Sequence, residues 1–402
     1  MKHGQTEQFL QEQGKAASRA YLMISGLYLA IYYGIGAFTP LIAQYYHSIH
    51  LTGTQIGLIS SITPLISIVT QPMWGIICDR FQVRKRVLFL TLLAAGLVVL
   101  FFTRAQTFGQ VIVLLTILSV FQSAVIPISD SLALAYGKKH NMPFGNLRMW
   151  GAVGFAVSAL VTGLLIQLWG PKVLFFVFAA AFVLATLFLK KIPDDTEGAR
   201  LHASIFSGIG SLLKIPRFTL FLFGAFFIYG AVNAHNLYFS LFYQHIGGSV
   251  AGVGLAFLLF AGSEAPCMKL AAMITRRWGL EYTLLTAGII STARWFWYST
   301  APNTLIVLLL FFIQGLSIGF YLAAAAQYVR ENTPGTLQVT ALAVFMSFGQ
   351  GLGAVFCDFL GGIVMQYFGI LQTYLFLGLA SGLGLIPVLL ICFGPWKRQT
   401  AS

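Results

Sequence analysis

Twelve long apolar runs follow one another along the chain and leave little room for anything else. A helix that crosses a bilayer needs about 20 predominantly apolar residues. Because lipid offers the backbone no hydrogen-bonding partner, such runs must be helical. The predicted spans are residues 20–45, 54–78, 87–103, 108–136, 146–168, 172–190, 218–243, 252–275, 282–299, 302–328, 338–366 and 370–394. The expected fold is an all-α membrane protein with twelve transmembrane helices.

The composition supports this fold class and excludes several functions. Only 9% of the 402 residues are charged, whereas soluble domains carry about a quarter. The net charge is +13. The charged residues lie between the apolar runs, where they indicate membrane topology, so no nucleic-acid partner is expected. The four cysteines lie in or beside apolar runs without metal-ligand or disulfide spacing, and neither metal nor cofactor is expected. There is no P-loop or catalytic motif, so the chain is predicted not to be an enzyme.

The distribution of Lys and Arg predicts the orientation of the chain. With a cytoplasmic N-terminus, nineteen of the 24 Lys and Arg residues fall in inner segments and only Arg104 and Lys172 in outer loops. Cytoplasmic loops of membrane proteins carry such an excess. The polar first eighteen residues contain no cleavable signal. We therefore expect a multi-pass protein of the plasma (inner) membrane, acting as a monomer, with both termini cytoplasmic.

An internal repeat predicts two related halves. Gly57-Leu58 recurs 197 residues later as Gly254-Leu255, and the Gly163…Gln167 segment recurs 199 residues later as Gly362…Gln366. The longest polar stretch lies between the halves. The predicted organisation is a six-helix bundle over 1–191, a cytoplasmic linker over 192–217 and a second six-helix bundle over 218–402, and duplicated bundles place a substrate site at their interface.

A motif after the second span carries a family resemblance. The segment from Gly75 through Asp79, Arg80 and Arg84 to Lys85 resembles the G-x-x-x-D-R-x-x-x-R-[KR] signature of the major facilitator superfamily. The resemblance implies two pseudo-symmetric six-helix bundles and a loop that gates the cytoplasmic face. A plain positively charged inner loop is the alternative interpretation.

A narrower resemblance covers nearly the whole chain. The segments at 36–40, 71–72, 127–130 and 144–154 are similar to the lactose permease branch of sugar–proton symporters, and positions from Asn236 to Gln327-Tyr328 are closer still to the phenylpropionate permeases. The resemblance implies a proton-coupled symporter of a small organic solute such as a sugar or an aromatic acid.

Ionisable groups inside spans are costly and mark functional sites. Asp130 and Arg148 lie in consecutive spans at depths that differ by about 5 Å. A ligand that hydrogen-bonds to both groups can part such a pair, and a guanidinium binds hydroxyl pairs or carboxylates through two bonds. In lactose permease the matching Glu and Arg bind sugar, so the resemblance implies substrate contact here. A structural salt bridge is the alternative.

Further substrate contacts are predicted from polar and aromatic residues. Asn236 and Gln244 match polar positions of the phenylpropionate permeases and offer hydrogen bonds. Trp150 and Tyr33 lie next to polar neighbours and offer rings for stacking. The wider set of candidate cavity aromatics is Tyr32, Tyr33, Phe38, Trp150, Tyr238, Trp295 and Tyr321.

Proton coupling is assigned to three residues of the second half. Glu264 and Arg294 lie at similar depths, and the hypothesis is that they form a pair in which Glu264 takes the proton and Arg294 tunes it. A static bridge between the two spans is the alternative. His235 titrates near neutral pH when unperturbed and is the third candidate, with a hydrogen-bonded cavity histidine as its alternative.

Three positions depart from lactose permease. Gln314, Ser317 and Gln350 replace that protein's titratable coupling residues. Asp358 has no assigned role beyond an outer polar site, and Lys269 is expected to extend to the inner surface. A facilitator or antiporter without proton coupling therefore remains an alternative, as does a transporter-like membrane sensor.

Overall fold

Twelve long helical segments make up the part of the chain that the structure describes. The computed structural model describes residues 21–140, 142–192 and 209–394, in which no strand occurs. The segments are α1 (Tyr21–Ser48), α2 (Gly53–Phe81), α3 (Arg84–Phe101), α4 (Phe108–His140), α5 (Phe144–Trp169), α6 (Val173–Lys190), α7 (Pro216–His245), α8 (Val250–Trp278), α9 (Leu280–Ser299), α10 (Thr304–Glu331), α11 (Thr340–Phe368) and α12 (Ile370–Phe393).

These segments confirm the predicted fold class. Ten of them, all except α8 and α9, are long and apolar enough to cross a membrane by length and composition. Within α8, Val250–Glu264 forms a shorter apolar stretch. Each predicted span overlaps one segment. The linker prediction falls largely on residues 193–208, which lie outside the described residues, and the helix Ile209–Leu213 precedes α7, so the domain boundaries stay a prediction.

Three segments depart from a regular α-helix. α1 ends in a separate turn of helix at Ile42–Ser48, and α10 is interrupted between Leu309 and Phe312. α11 contains a π-helical stretch over Phe345–Leu352. Such stretches occur often at functional sites, and none of the three departures is visible in the apolar pattern of the sequence.

Helix ends follow local sequence chemistry. Thr52 and Gln55 form a capping box that begins α2: Thr52 Oγ1 accepts from the Gln55 amide, and the Thr52 amide donates to Gln55 Oε1. This exchange satisfies two backbone N–H groups that the helix leaves unbonded. Gly170 and Gly369 follow α5 and α11 with φ of +83° and +94°, a conformation that favours glycine. These two glycines are 199 residues apart, the offset of the internal repeat.

Two glycine-lined seams join the halves at one end of the molecule. Where α2 begins and α11 ends, a Cβ on Gly57 would collide with the Asp358 backbone oxygen and reach Gly362 Cα at 3.0 Å. Where α5 ends and α8 begins, a Cβ on Gly254 would collide with the Ala159 backbone oxygen. Small residues let helix backbones approach this closely in membranes. The glycines of the sequence repeat are therefore the residues that close this end.

The same repeat relates the packing inside each half. Gly154 of α5 meets the Leu29 backbone oxygen of α1, and Gly353 of α11 meets the Phe226 backbone oxygen of α7. Gly353 lies 199 residues after Gly154, and Phe226 lies 197 residues after Leu29. The two six-helix bundles thus share one packing plan.

At the opposite end the halves are apart. A Cβ on Gly75, near the end of α2, would meet nothing within 4 Å. Gly75 lies 18 residues, or five full turns, after Gly57 and therefore on the helix face that carries the seam glycines. The space between the bundles therefore opens at the end where α2 finishes.

Gly57→Ala should force α2 and α11 apart at the closed end, because the added methyl group has no space between the two backbones. Double electron–electron resonance between spin labels at positions 50 and 367 should show longer distances than in the parent. Gly109→Ala is the matched control, because a Cβ there meets nothing within 4 Å. An unchanged distance distribution in Gly57→Ala would contradict the seam.

Candidate functional site

Asp130 and Arg148 form the charged pair that the sequence predicts. Arg148 Nη1 donates to Asp130 Oδ2 at 2.8 Å. Tyr28, on α1, donates its hydroxyl to Asp130 Oδ1 at 2.6 Å. The Arg148 side chain is 48% exposed although it lies within a span, so the pair is not sealed in the protein interior.

Aromatic rings surround this pair. The Tyr32 ring stacks beside Tyr28 at 6.2 Å, and the Arg148 guanidinium lies 5.9 Å from the Phe144 ring centre. Tyr32 was predicted as a cavity aromatic, whereas Tyr28 and Phe144 were not. The signal for Tyr28 was present in the sequence, because residues four apart share a helix face.

Tyr33 and Trp150 lie on other helix faces. Tyr33 is half-buried one position beyond Tyr32, about 100° further around α1. Trp150 donates its Nε1 to Tyr21 Oη at 3.4 Å. Each is one or two residues from a member of the site, yet neither side chain is hydrogen-bonded to Asp130 or Arg148 among the described residues. Their part in binding stays a prediction.

Glu264 belongs to the Arg148 site and not to a pair with Arg294. It interacts electrostatically with Arg148 and Tyr32 of the first half and with Tyr229 of the second. Among the described residues it has no ion pair within 4 Å. The predicted Glu264–Arg294 pair is therefore wrong in this structure, because similar depth does not place two side chains on facing helix surfaces.

Arg294 points into the interior of the second bundle. It is 4% exposed, and its guanidinium lies 4.2 Å from the Trp295 ring centre. Its electrostatic neighbours are His235, Tyr298 and Tyr374. Glu264 instead has Arg148, Tyr32 and Tyr229 as its electrostatic neighbours, so the two groups have different surroundings.

His235 is held in a buried hydrogen-bond network. Its Nδ1 lies 3.0 Å from Tyr374 Oη, and its Nε2 lies 2.6 Å from Gln314 Oε1. Gln314 Nε2 in turn donates to Asn236 Oδ1 at 2.9 Å. Both ring nitrogens thus have partners, which favours the alternative of a hydrogen-bonded histidine. Asn236 belongs to this network, and Gln244 lies two helical turns further along α7.

Asp358 lies at the closed seam. It is 6% exposed, and its Oδ1 has no hydrogen-bond partner among the described residues. Its backbone oxygen accepts from Tyr238 Oη at 2.5 Å, and the same oxygen borders Gly57. The Lys269 side chain, predicted to extend to the surface, lies outside the described residues.

The signature motif is held within the first bundle at the open end. Arg84 Nη2 pairs with Asp79 Oδ1 at 2.7 Å. Lys85 Nζ donates to the Ile192 backbone oxygen after α6 at 2.6 Å. The Arg80 guanidinium lies 5.7 Å from the Phe81 ring centre. These contacts join the motif to the end of α6 within the first half.

A buried ion pair that sequence reasoning missed links three helices of the second bundle. Arg217 Nη2 donates to Glu281 Oε1 at 2.6 Å, with side chains 9% and 10% exposed. The Arg217 Nε also donates to Tyr328 Oη at 3.4 Å. Both residues directly precede predicted spans. A charge at such a position indicates the orientation of the chain and does not predict an ion pair.

These features define a polytopic membrane carrier: two bundles of helices, packed through glycines at one end and open at the other, with an accessible ion pair between them. Among the described residues, no cluster of His, Cys, Asp and Glu could hold a metal ion. The MFS_1 like family matches residues 21–376. The chain belongs to this family of the major facilitator superfamily.

Curated relatives and solved structures agree with this assignment. The chain is 35% identical over 376 residues to the maltose permease of Geobacillus stearothermophilus, covering 93% of this chain and 94% of the relative. It is 25% identical over 352 residues to the lactose permease of Klebsiella oxytoca, covering 82% and 84%. The crystal structure of the nucleoside transporter NupG superposes with a TM-score of 0.84 at 14% identity, over 94% of this chain and 100% of that one.

Three predictions are thereby confirmed. The resemblance to the major facilitator superfamily and its lactose permease branch holds. The chain is a transporter of the permease type, not an enzyme. It is an integral, multi-pass membrane protein.

The two ion pairs should differ sharply in their importance for folding. Glu281→Gln leaves the buried Arg217 charge without its acid and should cost about 3–5 kcal/mol of unfolding free energy. Asp130→Asn disturbs a pair that solvent reaches and should cost about 1 kcal/mol or less. Thermal unfolding of the purified variants measures both effects. A large drop in Tm for Asp130→Asn with none for Glu281→Gln would reverse the assigned roles.

Proposed function

We propose that the chain is a proton-coupled symporter that takes up a neutral sugar by alternating access. The observation that carries the proposal is the half-exposed Asp130–Arg148 pair, with Tyr28 on its carboxylate, in the space between the bundles. A sugar hydroxyl both donates and accepts, so it can bind the carboxylate and the guanidinium together. The maltose and lactose permeases among the relatives support a sugar.

The charges of the site favour a neutral solute over an aromatic acid. Asp130, Arg148 and Glu264 sum to one negative charge when both acids are ionised and to none when one is protonated. While both acids are ionised, a carboxylate solute would meet this negative charge and be repelled. A sugar would meet only hydrogen-bonding groups and the flanking rings of Tyr32 and Phe144.

Glu264 is the proposed proton carrier. It is the acid of the second bundle that interacts with Arg148 of the first, so its charge contributes to the attraction between the bundles at the substrate site. Protonation removes that attraction and allows Arg148 to exchange partners as the bundles move. Of the other predicted coupling residues, His235 belongs to the buried hydrogen-bond network, and Arg294 lies beside it in the interior of the second bundle.

The orientation predicted from Lys and Arg makes the open end cytoplasmic. In that orientation α2 begins at the outer surface and ends at the inner one, and the structure corresponds to an inward-open state. The bundles of residues 1–191 and 218–402 would then rotate about the seams. The loop from Gly75 to Lys85 would approach the second bundle when the inner side closes.

Arg148→Ala should abolish sugar uptake and reduce sugar binding by at least tenfold, because removal of a charge-assisted hydrogen bond costs about 1.5–3 kcal/mol. Uptake of labelled maltose, lactose, a nucleoside and phenylpropionate into proteoliposomes, with binding by the same protein in detergent, measures both. Arg104→Ala, at an exposed loop position, is the control and should leave uptake unchanged. Unchanged affinity in Arg148→Ala would remove the pair from the site, and binding without uptake in the parent would favour a sensor.

Glu264→Gln should retain exchange of sugar at equilibrium and lose accumulation driven by a pH gradient. The amide keeps the hydrogen-bonding shape of the acid but cannot release a proton. Counterflow and gradient-driven uptake in the same vesicles separate the two activities. Intact accumulation in this variant would move coupling to another residue, and gradient-independent equilibration in the parent would indicate a facilitator.

A further inference from the structure

Arg294 is a buried cation whose donors have no acceptor among the residues that the structure describes. All three guanidinium nitrogens lack a hydrogen-bond partner, and no carboxylate of those residues lies within 4 Å. The Trp295 ring covers one face of the guanidinium. This cation–π contact stabilises the charge, but the N–H groups lie in the guanidinium plane and remain unbonded.

Two further donors without partners lie on the same helix. Trp295 Nε1 and Tyr298 Oη are both buried and make no hydrogen bond among the described residues. Tyr298 lies one turn after Arg294 on α9, so their side chains share a face. The ring centres of Trp295 and Tyr298 are 6.0 Å apart. Three neighbouring side chains thus carry buried donors without an acceptor among the described residues.

Neutral aromatic groups complete the surroundings. The His235 ring centre lies 4.5 Å from that of Trp295, and the Tyr374 ring centre lies 5.4 Å from that of Tyr298. His235 and Tyr374 are already hydrogen-bonded to each other. Neither supplies a negative charge. An unpaired guanidinium in such a setting costs several kcal/mol, and a bound anion would offset this cost.

We propose that Arg294, Trp295 and Tyr298 bind a small monovalent inorganic anion of the size of chloride inside the second bundle. One negative charge neutralises the one guanidinium, and a spherical anion accepts from several converging donors. An inorganic ion fits better than the carboxylate of a transported solute, because His235, Trp295 and Tyr298 are completely buried and leave no opening for the rest of a solute. The site is separate from the proposed sugar site at Arg148.

Halide-dependent stability tests this proposal. The purified full chain is unfolded thermally while potassium gluconate is replaced by potassium chloride at constant ionic strength. A bound anion should raise Tm saturably, and bromide should do the same. Tyr298→Phe removes one donor and should weaken the chloride effect by about tenfold in concentration.

Arg294→Leu should abolish the chloride response and should not lower Tm in gluconate, because it removes the unpaired charge. Arg276→Leu, at an exposed position on α8, is the matched control and should retain the full response. If Arg294→Leu fails to fold, equilibrium binding of labelled chloride is compared between the parent and Tyr298→Phe. Weaker binding by Tyr298→Phe supports the proposal, and no binding by the parent overturns it. Equal Tm in chloride and gluconate for the parent, an intact response in Arg294→Leu, or a larger rise with acetate than with chloride would overturn the proposal.

Discussion

The cost of a charge in hydrocarbon governs how this chain uses its few ionisable residues. Placing Arg or Asp at the centre of a span costs about 2.5–3.5 kcal/mol on insertion scales, so each one needs a partner or water. Arg217 meets the requirement with Glu281 in a sealed pair. Arg148 meets it with Asp130 in a pair that solvent reaches. The difference in exposure separates a structural pair from the pair assigned to substrate.

Close backbone packing sets where that substrate pair lies. Gly57 against Gly362 and Gly254 against Ala159 bring the bundles together at the end where α2 begins. Because the seams occupy this end, the remaining length of α2 and α5 can separate, and Arg148 faces the gap. The internal repeat explains why there are two equivalent seams, so the bundles can move about both of them together.

The sequence predicted the fold and part of the site. Apolar run lengths predicted the spans, and the offsets of 197 and 199 residues predicted two related halves. The structure adds that the repeated glycines join the bundles. The Asp130–Arg148 pair was predictable because a short loop fixes the relative depth of α4 and α5. The Glu264–Arg294 prediction failed because depth along a helix does not determine the direction in which a side chain points. His235 and its partners Gln314 and Tyr374 come from three different helices, and no spacing in one sequence connects them.

A structure determined with saturating sugar tests the central claim most directly, namely that solute binds by hydrogen bonds to the accessible charges between the bundles. We expect density for the sugar in contact with Asp130 and Arg148, with Glu264 on the opposite side. Density that lies elsewhere, with the Asp130–Arg148 bond at 2.8 Å undisturbed and untouched by ligand, would contradict the claim.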